Sequence, residues 1–561
     1  MLVPGRGVGP GAGRAGPDVT AERVAEERCD VLVVGSGGGL IGAFAAASRG
    51  LRTIVIEKAE HVGGTTSYSG AGIWLPGNPA ILRAGIEDSP AAARPYLDAI
   101  VGDDAPVELR EAFLLAGPPM IEELERDPAF GEFTWRGIPD YFEGRPGFLK
   151  RGRTIFPRDV DRAELGELEP LVRRPLWTER WGTEPTERMV GGQALTARSL
   201  LALMSTGNAE VHTGTALASL VVEGDRVVGV DAVRDGEPVR YLAERGVLLA
   251  AGGFERNAEM RREHQPPLTD EWTMGCPENT GDALEAAVAV GADTALLDEA
   301  WFAPGLETPV GGPVFYTMVW GGIWVNAAGE RFMNERLPYD RAGHELMRLH
   351  NSTGVDHIPA HWVFDQRQVD RHGFDMLPVD PQVPDWFDVD RWLEAGALVR
   401  ADTPEELADL IGVPADALVR TVEEYNGFAR SGVDERFHRG ESPWDRVIAN
   451  VVEPHTDGPN KCLGVLDAPP WYAVRVVVTD LGTKGGVRTD DHARVLRADG
   501  TVIGGLYASG NTMAPCTGRV YPGAGGPIGS AMVFSWLAAL DMAGEDPIAG
   551  GWAAAEPQAA E

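Results

Sequence analysis

The sequence predicts an α/β fold in two domains, the first of them split along the chain, and three observations predict it. Near the start, an apolar run ends in glycines and leads through an Ala-rich stretch into a second apolar run closed by an acid. The middle, from about Trp301 to Pro470, changes character and is richer in Trp, His and Asp. Strand and turn signals then return at Trp471–Gly510, ahead of a long uncharged stretch. At ~100–200 residues per domain, 561 residues hold more than one.

The first element is Cys29-Asp-Val-Leu-Val-Val34, read as a strand. Leu40–Ser48 reads as a helix, and Thr53–Ile56 as a second strand closed by Glu57. Strand, glycine turn, helix and strand make the βαβ unit of a Rossmann-like dinucleotide fold. Two glycine registers overlap in the turn. Gly35-Ser36-Gly37 directly follows the strand, whereas Gly37-Gly38-Gly39-Leu40-Ile41-Gly42 satisfies GxGxxG in full. Either places backbone N–H groups and a helix N-terminus against a pyrophosphate. Glu57 holds the strand-end position of an acid that accepts from ribose hydroxyls. From Pro79 to Arg198 the pattern is mixed and helical, and Val221–Val228 carries a Gly-Asp turn between β-branched runs. Ile528–Met542 reads as a final helix. The expected domains are 28–299 with 470–545, and 300–469, flanked by disordered tails at 1–27 and 546–561.

Composition narrows the function. The 50 basic and 84 acidic side chains leave a charge of −34, which argues against nucleic acid as a partner. The four cysteines have no CxxC spacing, so neither a metal site nor a haem attachment is predicted, and a reducing, cytoplasmic setting is expected. Met1–Glu27 lacks the apolar core of a signal peptide. Val31–Ser48 and Val520–Leu540 are uncharged but broken by glycines or prolines, so no transmembrane segment is expected, with peripheral membrane contact left open.

The segment after Glu57 selects the nucleotide. Gly63, Gly64, Thr65, Thr66, Ser69, Gly70 and Gly72 combine a glycine doublet with hydroxyl side chains. That suits FAD, whose diphosphate, ribityl chain and ring edge need donors along a long path. His61 reads as a loop residue and no histidine follows the doublet, so the flavin is expected to be non-covalent.

Further motifs are Pro139-Asp-Tyr141, Gly191-Gly-Gln-Ala-Leu195, Ala250-Ala-Gly-Gly-Phe254, Asn279-Thr-Gly-Asp282, Arg331-Phe-Met-Asn-Glu335 with Pro338-Tyr339, Asp480-Leu-Gly-Thr-Lys-Gly-Gly486, Gly505-Leu-Tyr-Ala-Ser-Gly-Asn511 and Tyr521-Pro-Gly-Ala-Gly525. With them the chain, from Cys29 to Glu545, resembles the 3-ketosteroid Δ1-dehydrogenases of the fumarate reductase and succinate dehydrogenase flavoprotein superfamily. The resemblance implies FAD contacts from Ala251, Gly252, Asp282, Gly510, Asn511, Pro527 and Ile528 beside those above. It also implies a catalytic cluster of Tyr521, Gly525, Tyr339 and Tyr141. Tyr521 and the Gly525 N–H would hold the C3 carbonyl oxygen of a steroid substrate as an oxyanion hole. Tyr339 would take the C2 proton with Tyr141 in support, and the C1 hydride would pass to flavin N5. Such a base needs a pKa below the tyrosine value near ~10. An external electron acceptor is implied, since no haem or iron–sulfur ligand set is visible. The alternatives carried forward are a 3-oxosteroid 4-dehydrogenase, a fumarate reductase and a non-catalytic flavin-binding protein. Against fumarate chemistry stand Tyr339, where that branch has its proton-donating arginine, and Asn511, where it has glutamate. Cys516 reads as a packing residue.

Overall fold

The computed structural model describes residues 25–316, 321–372, 388–446 and 458–549. Five parallel strands form the centre of the larger sheet. In spatial order they are Ala209–His212, Thr53–Ile56, Ala25–Val34, Glu237–Leu249 and Val502–Ala508. Numbered along the chain this order is 3-2-1-4-5, the doubly wound arrangement, whose ligands sit at the carboxyl ends of the strands. Strands Thr215–Glu223 and Arg226–Arg234 extend the sheet antiparallel, turning at Gly224 and Asp225 as the sequence predicts. Val31, Leu32, Val33, Ile54, Val55, Ile56, Val247 and Leu248 are fully buried, which explains their unbroken apolar runs.

The smaller unit is an antiparallel sheet of Ala300–Glu307, Pro313–Phe315, Ile323–Val325, Ala360–Asp365, Leu398–Ala401 and Trp471–Thr483. Trp471–Thr483 lies centrally in it, pairing with three of the other strands. The boundary expected at residue 470 therefore moves to about 484. An apolar run buried on both faces carries no mark of which sheet it joins. The chain enters and leaves this unit along a paired ribbon: Thr294–Ala295 is antiparallel to Gly486–Val487, and the Lys484 N–H donates to the Glu299 carbonyl at 2.9 Å.

One further expectation changes. The first strand begins at Ala25, inside the segment expected as a tail, because Ala25–Cys29 pairs with Val239–Ala243; residues 1–24 and 550–561 lie outside the described residues. The final helix, expected over Ile528–Met542, runs over Gly526–Ala543, after the non-helical turn that interrupts Val520–Leu540. Pro522 precedes the helix and Pro527 lies in its first turn, where its missing N–H costs nothing. Among the described residues this is the one helix long and apolar enough to cross a bilayer, and it is mostly buried inside the protein. Gly38 and Gly42 explain how it packs: a Cβ on either would come within 2.8 Å of Ala531 or 2.7 Å of the Ser535 carbonyl.

Candidate active site

A cavity of about 650 Å3 opens along the carboxyl ends of the parallel strands. Gly35 follows the first strand, Glu57 the second, Ala250–Gly252 the fourth and Gly510–Asn511 the fifth, and all line it. Gly35 has φ +95°, and a Cβ there would lie 2.4 Å from the Ala250 carbonyl, so only glycine permits the turn. Gly37 and Gly38 line the cavity at the N-terminus of helix Gly39–Ser48, whose free N–H groups suit an anion. Gly39 does not line it and packs on Val33 and Ala250 instead. Neither glycine register alone describes the turn: Gly35 and Gly37 face the ligand space, whereas Gly38 and Gly42 admit the last helix.

Glu57 accepts from the Ser36 hydroxyl and, at 2.9 Å, from the Ala59 N–H, and burial pushes its carboxyl above the usual range. Gly64, Thr65, Thr66, Ser69, Gly70 and Gly72 line the cavity, but Gly63 does not. Gly63 shapes the turn at φ +113°, its N–H donating to Ser36 at 2.8 Å. The Ser69 hydroxyl already donates to the Thr66 carbonyl at 2.7 Å, and Thr65 accepts from the Cys276 N–H at 3.0 Å and Asn279 at 3.1 Å. The Asp282 carboxylate is held by Lys58 at 2.7 Å and by Thr280. Pro527 and Ile528 line the cavity at the start of the last helix. Its N-cap, Gly525, has φ +96°, and a Cβ there would lie 2.1 Å from the Gly72 backbone. The cavity is thus walled by backbone that approaches closely only because side chains are missing, which fits a long dinucleotide with a diphosphate at its middle.

At the other end three tyrosines meet. The Tyr339 hydroxyl donates to that of Tyr521 at 2.9 Å, and the Gly525 N–H points at the same oxygen from 3.3 Å. Tyr521 thereby keeps its own proton to donate. Tyr339 opens helix Tyr339–Ser352 of the smaller unit, placed by Pro338 at the N-cap. Tyr141 stacks edge-on to Tyr339, with centroids 5.4 Å apart, and tilts against Tyr521 at 5.5 Å. Its loop is tied down by its own N–H to the Pro522 carbonyl at 3.1 Å, and by Asp140, which takes the Trp74 indole N–H at 2.8 Å and pairs with buried Arg153. Burial pushes Asp140 up to about 6 despite that arginine. Tyr339 and Tyr521 line the cavity; Tyr141 lies behind them, its hydroxyl buried.

The expected low tyrosine pKa is not supplied by these groups. Burial first, then the oxygen of Tyr141, push Tyr339 well above its ordinary value, and burial and Tyr339 do the same to Tyr521. Both would be neutral phenols at pH 7. Cys516 is a packing residue, its thiol 3.6 Å from Ser530 and raised to about 12 by burial.

Sequence reasoning missed the aromatic walls. Phe315 meets Tyr339 edge-on at 4.8 Å, Trp444 meets Tyr141 at 5.0 Å and Trp301 meets Tyr521 at 5.3 Å. None sits in a spaced motif: Trp301 and Phe315 are aromatics in apolar runs, the signal of any core residue, and Trp444 stands alone in a polar loop sequence.

Fold and cavity together define a flavin-dependent oxidoreductase of the doubly wound class. The model of the family described as FAD binding domain matches residues 30–528. A 3-oxosteroid 1-dehydrogenase of Mycolicibacterium smegmatis is 42% identical, over 92% of this chain and 97% of its own. A 4-oxocyclohexanecarboxylate 2-dehydrogenase of Sinomonas cyclohexanicum is 34% identical, over 92% and 93%. The crystal structure of 3-ketosteroid delta1-dehydrogenase from Sterolibacterium denitrificans, in complex with 1,4-androstadiene-3,17-dione, superposes with TM-score 0.84 at 33% identity, covering 92% of this chain and all of that one. The chain belongs to the 3-oxosteroid 1-dehydrogenase family of FAD-binding flavoenzymes.

Proposed function

We propose that this protein removes hydrogen from C1 and C2 of 3-ketosteroids, turning a 4-ene-3-one into a 1,4-diene-3-one, with FAD held non-covalently. The observation that carries the reading is the Tyr339–Tyr521 hydroxyl pair, 2.9 Å apart, beside the Gly525 N–H in the cavity that the glycine turn opens. The Tyr521 hydroxyl and the Gly525 N–H hold the C3 carbonyl oxygen and stabilise the charge it gains as the C2 proton leaves. Tyr339 receives that proton as its tyrosinate, which forms once the phenolic proton has passed to solvent, and Tyr141 fixes the Tyr339 ring from behind. FAD, when bound, would supply the acceptor for the C1 hydride, so that C1=C2 forms as a proton leaves C2 and a hydride leaves C1. The two electrons then go to an external acceptor. The cytoplasmic reading rests on the four cysteines, all buried as free thiols.

The test is anaerobic bleaching of the purified yellow protein. A 4-ene-3-ketosteroid should bleach it and yield the 1,4-diene, while succinate and 4-oxocyclohexanecarboxylate should not. A product desaturated at C4–C5, or bleaching by succinate, overturns the reading. Acid precipitation should release the flavin to the supernatant.

A further inference from the structure

The segment Asp480–Gly486 is pinned almost residue by residue. Asp480 pairs with buried Arg261, takes the Thr273 hydroxyl at 2.7 Å and accepts the Gly482 N–H at 2.9 Å. Thr483 accepts the Phe254 N–H at 3.0 Å and donates its own N–H to Glu255 at 3.2 Å. A Cβ on Gly482 would lie 2.4 Å from the Asn511 amide, and one on Gly485 2.1 Å from the Leu296 carbonyl. Within this frame Lys484 is fully buried, its Nζ without a hydrogen-bond partner among the described residues. Nζ stands over the face of Trp301, 4.4 Å from the ring centre.

Trp301 does not line the cavity, but it touches two residues that do. Its indole N–H donates to the Asn511 Oδ1 at 2.9 Å, and its ring meets Tyr521 at an interplanar angle of 79°. A buried ammonium with no hydrogen bond is costly, and a tryptophan face is the best aromatic partner for one. The charges around it include Asp340 at the head of helix Tyr339–Ser352, Glu299 before strand Ala300–Glu307, His344, which pairs with both of those carboxylates, Asp104 and Arg519. Burial lowers the Lys484 pKa and Arg519 adds to that, while Asp340, Glu299 and Asp104 raise it.

We propose that Lys484 and Trp301 are positioning residues for the reaction: the ammonium clamps the indole by its face, and the clamped indole fixes the Tyr521 phenol and the Asn511 amide together. The purpose of this brace rests on the reading of Tyr521 as the residue that holds the C3 oxygen. Its consequence is that the carbonyl-holding hydroxyl and a flavin-side amide keep one mutual register.

The test is a double-mutant cycle on the holoenzyme. Lys484→Met keeps the unbranched stem, one atom shorter, and removes its charge. It should retain FAD and leave KM for a 4-ene-3-ketosteroid within about twofold. It should lower kcat roughly tenfold, a fraction of the hundredfold that a 1 Å misplacement can cost. C2-hydrogen exchange into deuterated solvent, read with the flavin held reduced, should fall by the same factor. Lys484→Arg, whose guanidinium can also lie on the indole, should recover most of both. In a Tyr521→Phe background, Lys484→Met should cost less than about twofold, because the group it positions is already gone. Should Lys484→Met fail to fold, Trp301→Phe, which keeps a ring beneath the ammonium and removes the bond to Asn511, takes its place with the same expected loss of additivity. Equal losses in the two backgrounds, or a loss explained wholly by missing FAD, overturn the brace. A parent protein that neither turns over nor exchanges a 3-ketosteroid overturns the functional reading, and the purpose of the brace with it.

Discussion

The two ends of the cavity are built on opposite principles. At the glycine-lined end the wall is backbone, and at Gly35, Gly37 and Gly525 there is little or no room for a Cβ. At the other end three rings meet, brought together from residues 141, 339 and 521. The first end is local in sequence and closed to bulk. The second is dispersed, and on the proposed function it depends on the Tyr339 and Tyr521 hydroxyls. The comparison teaches that binding and chemistry should be separable by mutation.

The sharpest separation is expected at Tyr339. Tyr339→Phe should keep FAD and lose dehydrogenation by about a thousandfold, within the ~10²–10⁴ range of positioned acid–base groups. It should lose C2-hydrogen exchange as well, whereas parent enzyme with reduced flavin keeps exchange alone. Exchange at the parental rate would assign the base elsewhere, with Tyr141 next in line. Tyr521→Phe should cost on the order of a hundredfold in kcat, the usual effect of deleting one oxyanion donor. Near-parental turnover there would mean that the carbonyl is held by other atoms.

Gly35→Ala addresses the opposite end. Its φ of +95° and the 2.4 Å approach to Ala250 predict protein purified with several-fold less FAD, yet with parental turnover per bound flavin. If turnover per flavin also collapses, the two ends are not separable. The smallest effect concerns stability. His344 is ion-paired with Glu299 at 3.0 Å and Asp340 at 3.4 Å. Burial alone would lower its pKa, but the two carboxylates outweigh it and raise the value to about 10. A raised folded-state pKa contributes stability that is complete below the unfolded value near ~6.5 and is lost as pH rises through the folded one. Thermal midpoints of the parent should therefore decline between pH 7 and 10 more steeply than those of His344→Gln. Parallel curves would show that the pair adds no pH-dependent stability.

The same contrast explains what was legible in the sequence. Gly35, Glu57 and the Tyr521-to-Gly525 spacing are short-range patterns, and all four residues lie on the cavity wall. Gly39 and Gly63 were read as cofactor contacts because a glycine near a ligand and a glycine beneath a helix look alike in one dimension; both serve packing or turn shape. The place of Trp471–Thr483 was hidden because a fully buried strand has no polar face to betray its neighbours. Trp301 joins Asn511 across 210 residues, and no local signal encodes such a contact. The pKa of Tyr339 depends on burial and on another ring's oxygen, neither of which spacing reveals.

The ribbon of Thr294–Ala295 and Gly486–Val487 carries a consequence of a different kind. Because the smaller unit begins and ends on adjacent, hydrogen-bonded strands, it is a cassette inserted at one point of a scaffold that is otherwise continuous. Tyr339 travels with the cassette, while Gly35, Glu57, Tyr521 and Gly525 stay with the scaffold. A lineage, or an engineer, can therefore exchange Tyr339 and the walls around it as one piece, keeping Gly35, Glu57, Tyr521 and Gly525 in place.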